Sequence, residues 1–353
     1  MTSSKTKNRL SEIEFMRAIC CLLVVIIHVT AAFWYTFTTG SPQFKAVIVL
    51  NTLSKFAVPS FVLISGYVLY YVNYNKKVEA LPFYKKRISK VLVPYLIWSI
   101  LYIFVNYLAY ARPIDMKSLI YYFGLGKANY HLYYICLILQ LYILFPLIFK
   151  IYQSIENKIF ATAIFFIFNS FFIRFIKFEF SDRFFTYYIM FFVLGFFLAD
   201  LKIRAISFHK IVPVIISIFY FLITSYYILD TYKVNAKVPL LSKELYRHSW
   251  WYFSLISILF LYTMAAVLNK YHFKIVSSRA VQSISKHSFT IYLSHPMFMK
   301  VLHSLSLFEK IKSQEPTLTF VLELICIFMG SWLFSILLDQ FIARFKTSKK
   351  IIT

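Results

Sequence analysis

The chain has 353 residues, of which 60% are hydrophobic and 21% aromatic but only 15% charged, against about 25% charged in an ordinary soluble domain. Those proportions exclude a large soluble core and describe an all-α protein that crosses a membrane many times. The net charge of +24 would suggest nucleic acid in a soluble protein; here the basic residues punctuate the ends of apolar runs and help set topology, so no nucleic-acid partner is expected.

A span needs about 20 predominantly apolar residues. By that measure the sequence predicts about ten transmembrane helices, at roughly 15–36, 45–71, 91–110, 131–149, 159–173, 184–200, 211–229, 250–268, 287–305 and 318–342. Lys5, Lys7 and Arg9 precede the first run as in a signal sequence. That run is too long and no small-residue cleavage site follows, so it reads as a retained first span. Residues 114–125 are apolar but short and read as a re-entrant or interfacial helix. No repeat or attached soluble domain is visible, so residues 1–353 are expected to form a single membrane domain. An even span count puts both termini on one side. More than half of the 38 Lys and Arg fall in segments that are inside when the N-terminus is inside, which predicts a plasma-membrane protein with both ends cytoplasmic.

The first span, EIEFMRAICCLLVVIIHVTAAF, holds Arg17 at its entrance and His28 within it. Eleven residues make about three turns, so the two side chains share a face about 16 Å apart along the axis. Ionisable groups inside a span cost about 3 kcal/mol and mark a cavity or pathway. A histidine there serves as proton relay, ligand, general base or interhelical hydrogen-bonding group. In the second span Lys55 lies about ten residues from the outer end, and Pro59, Ser65 and Gly66 interrupt the run. Small residues let helices approach closely.

The first inner loop is the most basic, with Lys76, Lys77, Lys85, Lys86, Arg87 and Lys90. It serves either as a topology signal with contacts to anionic lipid or as a phosphate cradle for a nucleotide-bearing donor. Arg87 and Lys90, three apart, are expected on one helical face ahead of Pro94. Further along, His131 opens the fourth span beside Tyr133 and Tyr134. Gly195 and Asp200 read as packing and helix-end features. An outer loop at about 230–249 ends in His248, Trp250 and Trp251, suited to a sugar or to an interfacial belt. His295 precedes Pro296 in the ninth span, where the proline leaves room for a kink. Glu323 is the carboxylate placed well inside the tenth span, with Asp339 and Gln340 near its inner end. Cys20, Cys21, Cys136 and Cys326 lie in apolar segments without metal-ligand spacing and read as packing residues.

No GxSxG, HExxH, phosphate-loop or dinucleotide signature is present, and no metal site is expected. A histidine and an arginine on one face, with a basic patch at the same surface, fit acyl transfer from a phosphate-bearing donor. The basic groups would hold the donor's phosphates and an imidazole would take the proton of an acceptor hydroxyl, while Arg or polar groups would steady the oxyanion.

Five segments carry a family resemblance. Arg17 with His28 resembles the R-x10-H first-helix signature of the membrane acyltransferase-3 family. VPSFVLISGY is similar to its second-helix P-x-F-F-x-x-S-G-Y segment, and Arg87-Ile-Ser-Lys90 to its R-x-x-R pair. HLYYICLILQLYILFP and SFTIYLSHP resemble its H-L-W-F-L…L-Y…P and I-Y-L-x-H-P segments. All five stand in the family's order. Lys90 stands where the family has a second arginine, losing bidentate phosphate geometry, and Tyr133 stands where it prefers tryptophan.

The resemblance implies an integral-membrane O-acyltransferase of about ten spans. It would carry an acyl group, usually acetyl, from cytoplasmic acyl-CoA to an extracytoplasmic glycan or its lipid-linked precursor. Acetyl-CoA or succinyl-CoA would be the donor substrate, with no bound cofactor. It further implies His28 as catalytic base, Arg17 as its charged partner, and Arg87 with Lys90, beside Lys86, as donor contacts. Lys55, Ser65, His131, His295 and Glu323 are the remaining candidates for substrate contact or support. The chain is most similar to stand-alone members without a hydrolase-like domain, which modify enterobacterial common antigen or biofilm poly-N-acetylglucosamine, and association with glycan synthesis machinery is expected. Two other readings stay open: a glycan exporter or flippase using Arg17 and His28 for binding and proton coupling, and a non-catalytic partner of a glycan synthase.

Overall fold

The computed structural model describes residues 10–110, 114–176, 178–206, 209–235 and 241–352. Among these there is no strand. The helices are α1 (Ser11–Phe33), α2 (Pro42–Ser54), α3 (Ala57–Asn73), α4 (Ala80–Arg87), α5 (Val93–Tyr110), α6 (Met116–Gly124), α7 (Tyr133–Ser154), α8 (Lys158–Phe175), α9 (Ile189–Ile203), α10 (Ile211–Asn235), α11 (Lys243–Lys270), α12 (Arg279–His303), α13 (Ser306–Gln314) and α14 (Pro316–Ile352). Every predicted span falls on helix. Eight helical stretches are long and apolar enough to cross a membrane, which makes this a multi-pass membrane protein. The other two predicted spans depart from that standard for different reasons. α9 has 15 residues, because residues 181–187 ahead of it fold as short 3-10 turns and the helix starts five residues later than expected. α12 has 25 residues, but its serines and histidines dilute its hydropathy.

The second predicted span is two helices. The chain breaks at Lys55–Phe56, and α3 restarts with Pro59 in its first turn, where a missing N–H costs nothing. The predicted short helix at 114–125 exists as α6. Asp115 caps it by accepting from the Ser118 N–H at 2.7 Å, and Ser118 holds its carboxyl below the usual carboxylate range. The expected outer loop is mostly helix, since α10 runs to Asn235 and α11 begins at Lys243; residues 236–240 lie outside the described residues.

The chain forms two compact units, residues 1–60 with 208–353, and residues 61–207. In the first, α1 packs on α2, α11, α12 and α14. Its core gathers Val25, Val29, Phe33, Val47, Met299 and Ile327, ringed by Phe298, Phe320 and Phe328. α10 and α14 turn Ile215, Phe219, Leu222, Leu318, Leu322, Ile325 and Leu333 outward, an apolar surface suited to lipid.

The second unit is built around aromatic rings on α3, α7 and α9. Tyr70, Phe149, Tyr152 and Phe196 lie with ring centroids 5.3–6.2 Å apart, and the Tyr70 hydroxyl donates to Asp200 at 2.8 Å. Asp200 also pairs with Arg204 at 2.8 Å. Two glycines set the spacing of α3 and α9. A Cβ at Gly66 would stand 2.0 Å from the Phe192 carbonyl oxygen, and one at Gly195 would stand 2.3 Å from that of Leu63. Backbone therefore touches backbone at this crossing.

Candidate active site

In the first unit His28 and His295 meet. Their rings stack at 5.2 Å between centroids and 22° between planes. Each histidine reaches the contact from a long helix, α1 or α12. His295 is fully buried, and its Nδ1 lies 3.2 Å from the Ile291 carbonyl oxygen. An oxygen acceptor there requires the proton on Nδ1. Pro296 follows at once and supplies no backbone donor to the turn behind it.

The turn of α1 that carries His28 is tied down by a residue the sequence reading did not single out. Asn51 of α2 donates from Nδ2 to the Ile27 carbonyl oxygen at 3.1 Å and to Thr30 Oγ1 at 3.0 Å. Thr30 in turn donates to Ile26 at 2.6 Å. Asn51 was legible only as a polar residue in an apolar run. Arg17 sits half-buried three turns earlier on α1.

Lys55 ends α2 in the same unit, with Nζ 3.3 Å from the Tyr246 hydroxyl and 3.5 Å from that of Tyr227. Glu323 is fully buried on α14, and its partner is His303, at 2.9 Å. His303 lies eight residues beyond His295, or about 12 Å along α12, with Phe308 stacked on its ring at 5.5 Å. Replacing Glu323 by alanine is expected to lower stability by about 2 kcal/mol. That is less than the ~3–5 of a fully buried broken pair, because His303 keeps access to its surroundings. Thermal unfolding in lipid nanodiscs measures it, and an unshifted transition would dismiss the pair as a stabilising contact.

The second unit holds the basic residues. Arg87 closes α4, and its guanidinium lies between two rings, 5.2 Å from Phe83 and 5.0 Å from Tyr142. Its Nε is buried without a hydrogen-bond partner, and among the described residues no carboxylate pairs with it. The Tyr142 hydroxyl donates to Ser65 Oγ at 3.4 Å, so Ser65 and Arg87 share one neighbour. Tyr142 was not foreseen, since only the packing of α4 on α7 brings it there. Tyr84 adds a second tie between these helices, donating to the Ile143 carbonyl oxygen at 2.8 Å.

Arg87 and Lys90 do not share a face as expected. Residues Ile88–Leu92 wind as a π-helix, with the Val93 N–H donating to the Ile88 carbonyl oxygen. Each residue turns the chain less than in an α-helix, so three residues fall well short of a full turn. Arg87 faces inward and is half-buried; Lys86 and Lys90 are exposed. Pro94 supplies the reason, because its ring would clash with the carbonyl four residues back in a regular helix. His131 is buried at the start of α7 with its ring edge-on to Tyr102 at 5.3 Å. Cys20, Cys21 and Cys136 are buried, whereas Cys326 is exposed and is not the packing residue it was expected to be.

A family model described as an acyltransferase domain matches residues 10–339. The chain belongs to the acyltransferase-3 family and is an acyltransferase. Two curated relatives, from Staphylococcus aureus strains Mu50 / ATCC 700699 and MSSA476, are each 25% identical over 310 residues, covering 82% of this chain and 83% of their own. Both are named "Probable poly-beta-1,6-N-acetyl-D-glucosamine export protein". No solved structure matches the chain.

Proposed function

We propose that this membrane acyltransferase moves an acetyl group from cytoplasmic acetyl-CoA to a hydroxyl of a surface polysaccharide or its lipid-linked precursor. The observation that carries the reading is Arg87. A guanidinium clasped by two aromatic rings, with a buried Nε that no described residue satisfies, is a fixed fork lacking an acceptor. Phosphate oxygens of an acyl-CoA supply one. Lys86 and Lys90 add positive charge at the same surface.

In this scheme His28 takes the proton of the acceptor hydroxyl. The oxygen attacks the thioester carbon, while Arg17, three turns earlier on the same helix, adds positive charge for the anionic donor. Collapse breaks the carbon–sulfur bond, and the proton returns to the sulfur, giving an ester and free CoA. His295 supports His28 by ring contact. Succinyl-CoA would serve in the same way. The partners expected are the glycan acceptor and its synthesis machinery, in the plasma membrane with both termini cytoplasmic.

The test uses protein in lipid nanodiscs with radiolabelled acetyl-CoA. Arg87→Ala is expected to weaken acetyl-CoA binding about 10–100-fold, the worth of hydrogen bonds to a charged group, and Arg87→Lys to restore it only in part. Unchanged affinity in Arg87→Ala would remove Arg87 from the donor site. The relatives' name favours a second reading, in which the chain exports glycan. Glycan transport that depends on His28, with no acetyl-CoA binding in the wild type, would establish that one instead.

A further inference from the structure

Lys55 sits midway along the apolar stretch Pro42–Asn73, at the break between α2 and α3. A charge at such depth is costly unless it is compensated. Its partners are two phenol oxygens at 3.3 and 3.5 Å and the faces of the same rings at 5.2 and 5.9 Å. No carboxylate lies within 4.0 Å of it among the described residues. The ammonium therefore makes no direct ion pair; the buried carboxylate of Asp230 stands about one turn along α10 from Tyr227.

The two rings form a wall. Tyr227 and Tyr246 stack at 5.6 Å and 23°, Tyr227 is buried, and the Tyr246 hydroxyl is fixed by Thr231 Oγ1 at 3.1 Å. Tyr227 also stacks on Phe253 at 4.8 Å, so it backs the partly exposed Tyr246 ring, and that ring beside a cation suits a sugar bearing a negative group. Lys55 is also one helical turn, about 6 Å, from Asn51, which grips the turn of α1 carrying His28.

We infer that Lys55, Tyr227 and Tyr246 form an acceptor subsite for an anionic sugar, gripping its phosphate or carboxylate so that a neighbouring hydroxyl reaches His28. The inference rests on the acyltransfer reading for the role of His28, but not for the binding itself. It narrows the acceptor from glycans in general to charged ones.

Equilibrium dialysis of the nanodisc-embedded protein against radiolabelled N-acetylglucosamine 1-phosphate, glucuronic acid and neutral N-acetylglucosamine tests it. Wild type is expected to bind at least one charged sugar about tenfold more tightly than the neutral one, and comparison of the two charged probes identifies the group. Lys55→Met should abolish the preference and Lys55→Arg should keep it, with unfolding temperatures confirming that both variants are folded. Equal affinity for all three sugars, undetectable binding of all three, or a preference that survives in Lys55→Met would overturn the subsite. An intact preference without acetyl transfer would sink the enzymatic scheme and leave the subsite standing.

Discussion

His28→Ala lowers the acyl-transfer turnover by about 10²–10⁴, the usual worth of a positioned general base, and leaves acetyl-CoA binding intact. The separation of the two effects is the informative part. The donor contacts are assigned to Arg87 and its neighbours, so a variant at His28 should lose kcat and keep affinity. His295→Ala removes only the stacked ring at 5.2 Å and should cost less, with part of the activity regained in His295→Phe, which restores a flat partner. Turnover within threefold of wild type in His28→Ala would place the base elsewhere. Equal losses in His28→Ala and His295→Phe would mean that His295 exchanges protons itself instead of supporting the ring.

The second large effect concerns folding. Gly66→Ala places a methyl group 2.0 Å from the Phe192 carbonyl oxygen, and Gly195→Ala places one 2.3 Å from that of Leu63. Both obstacles are backbone, so no side-chain rotation relieves them. α3 and α9 must separate by more than an ångström and give up their shared aromatic packing. The cost should exceed about 4 kcal/mol, the range reserved for severe core disruption. Either variant is expected to yield little monodisperse protein from detergent extracts. Gly124→Ala is the control, because nothing lies within 4 Å of its Cβ position and alanine favours a helix. Normal yield and unfolding temperature in Gly66→Ala would refute the close crossing.

The helical framework was legible because a bilayer demands long apolar runs, and hydropathy detects them directly. The breaks in those runs were not. Lys55–Phe56 interrupts a stretch that as a whole still qualifies as one apolar run, and only Pro59, which belongs in a first helical turn, hints that a helix begins just before it. The five motif segments pointed to His28, His295, Arg87 and Ser65. The structure brings His28 to His295 and relates Ser65 to Arg87 through Tyr142. Spacing along the chain could not reveal Tyr142 or Asn51, because each acts across a helix–helix contact. For the same reason Glu323 was legible as a buried acid while its partner, His303, twenty residues away, was not. Arg87 and Lys90 misled for another reason: the three-residue rule presumes an α-helix, and the turn ahead of Pro94 winds more widely.

The wide turn at Ile88–Leu92 also bears on how the chain can change length. It holds one residue more than an α-helix covering the same angle. A related chain that lacks the proline and is one residue shorter at this turn can wind as plain α-helix and still present its last basic residue of α4 and the buried ridge of Tyr95 and Tyr102 in the same mutual orientation. A residue lost further along α5 has no such remedy, since everything beyond it rotates by about 100°. Gaps in related sequences should therefore gather at this turn and not further along α5.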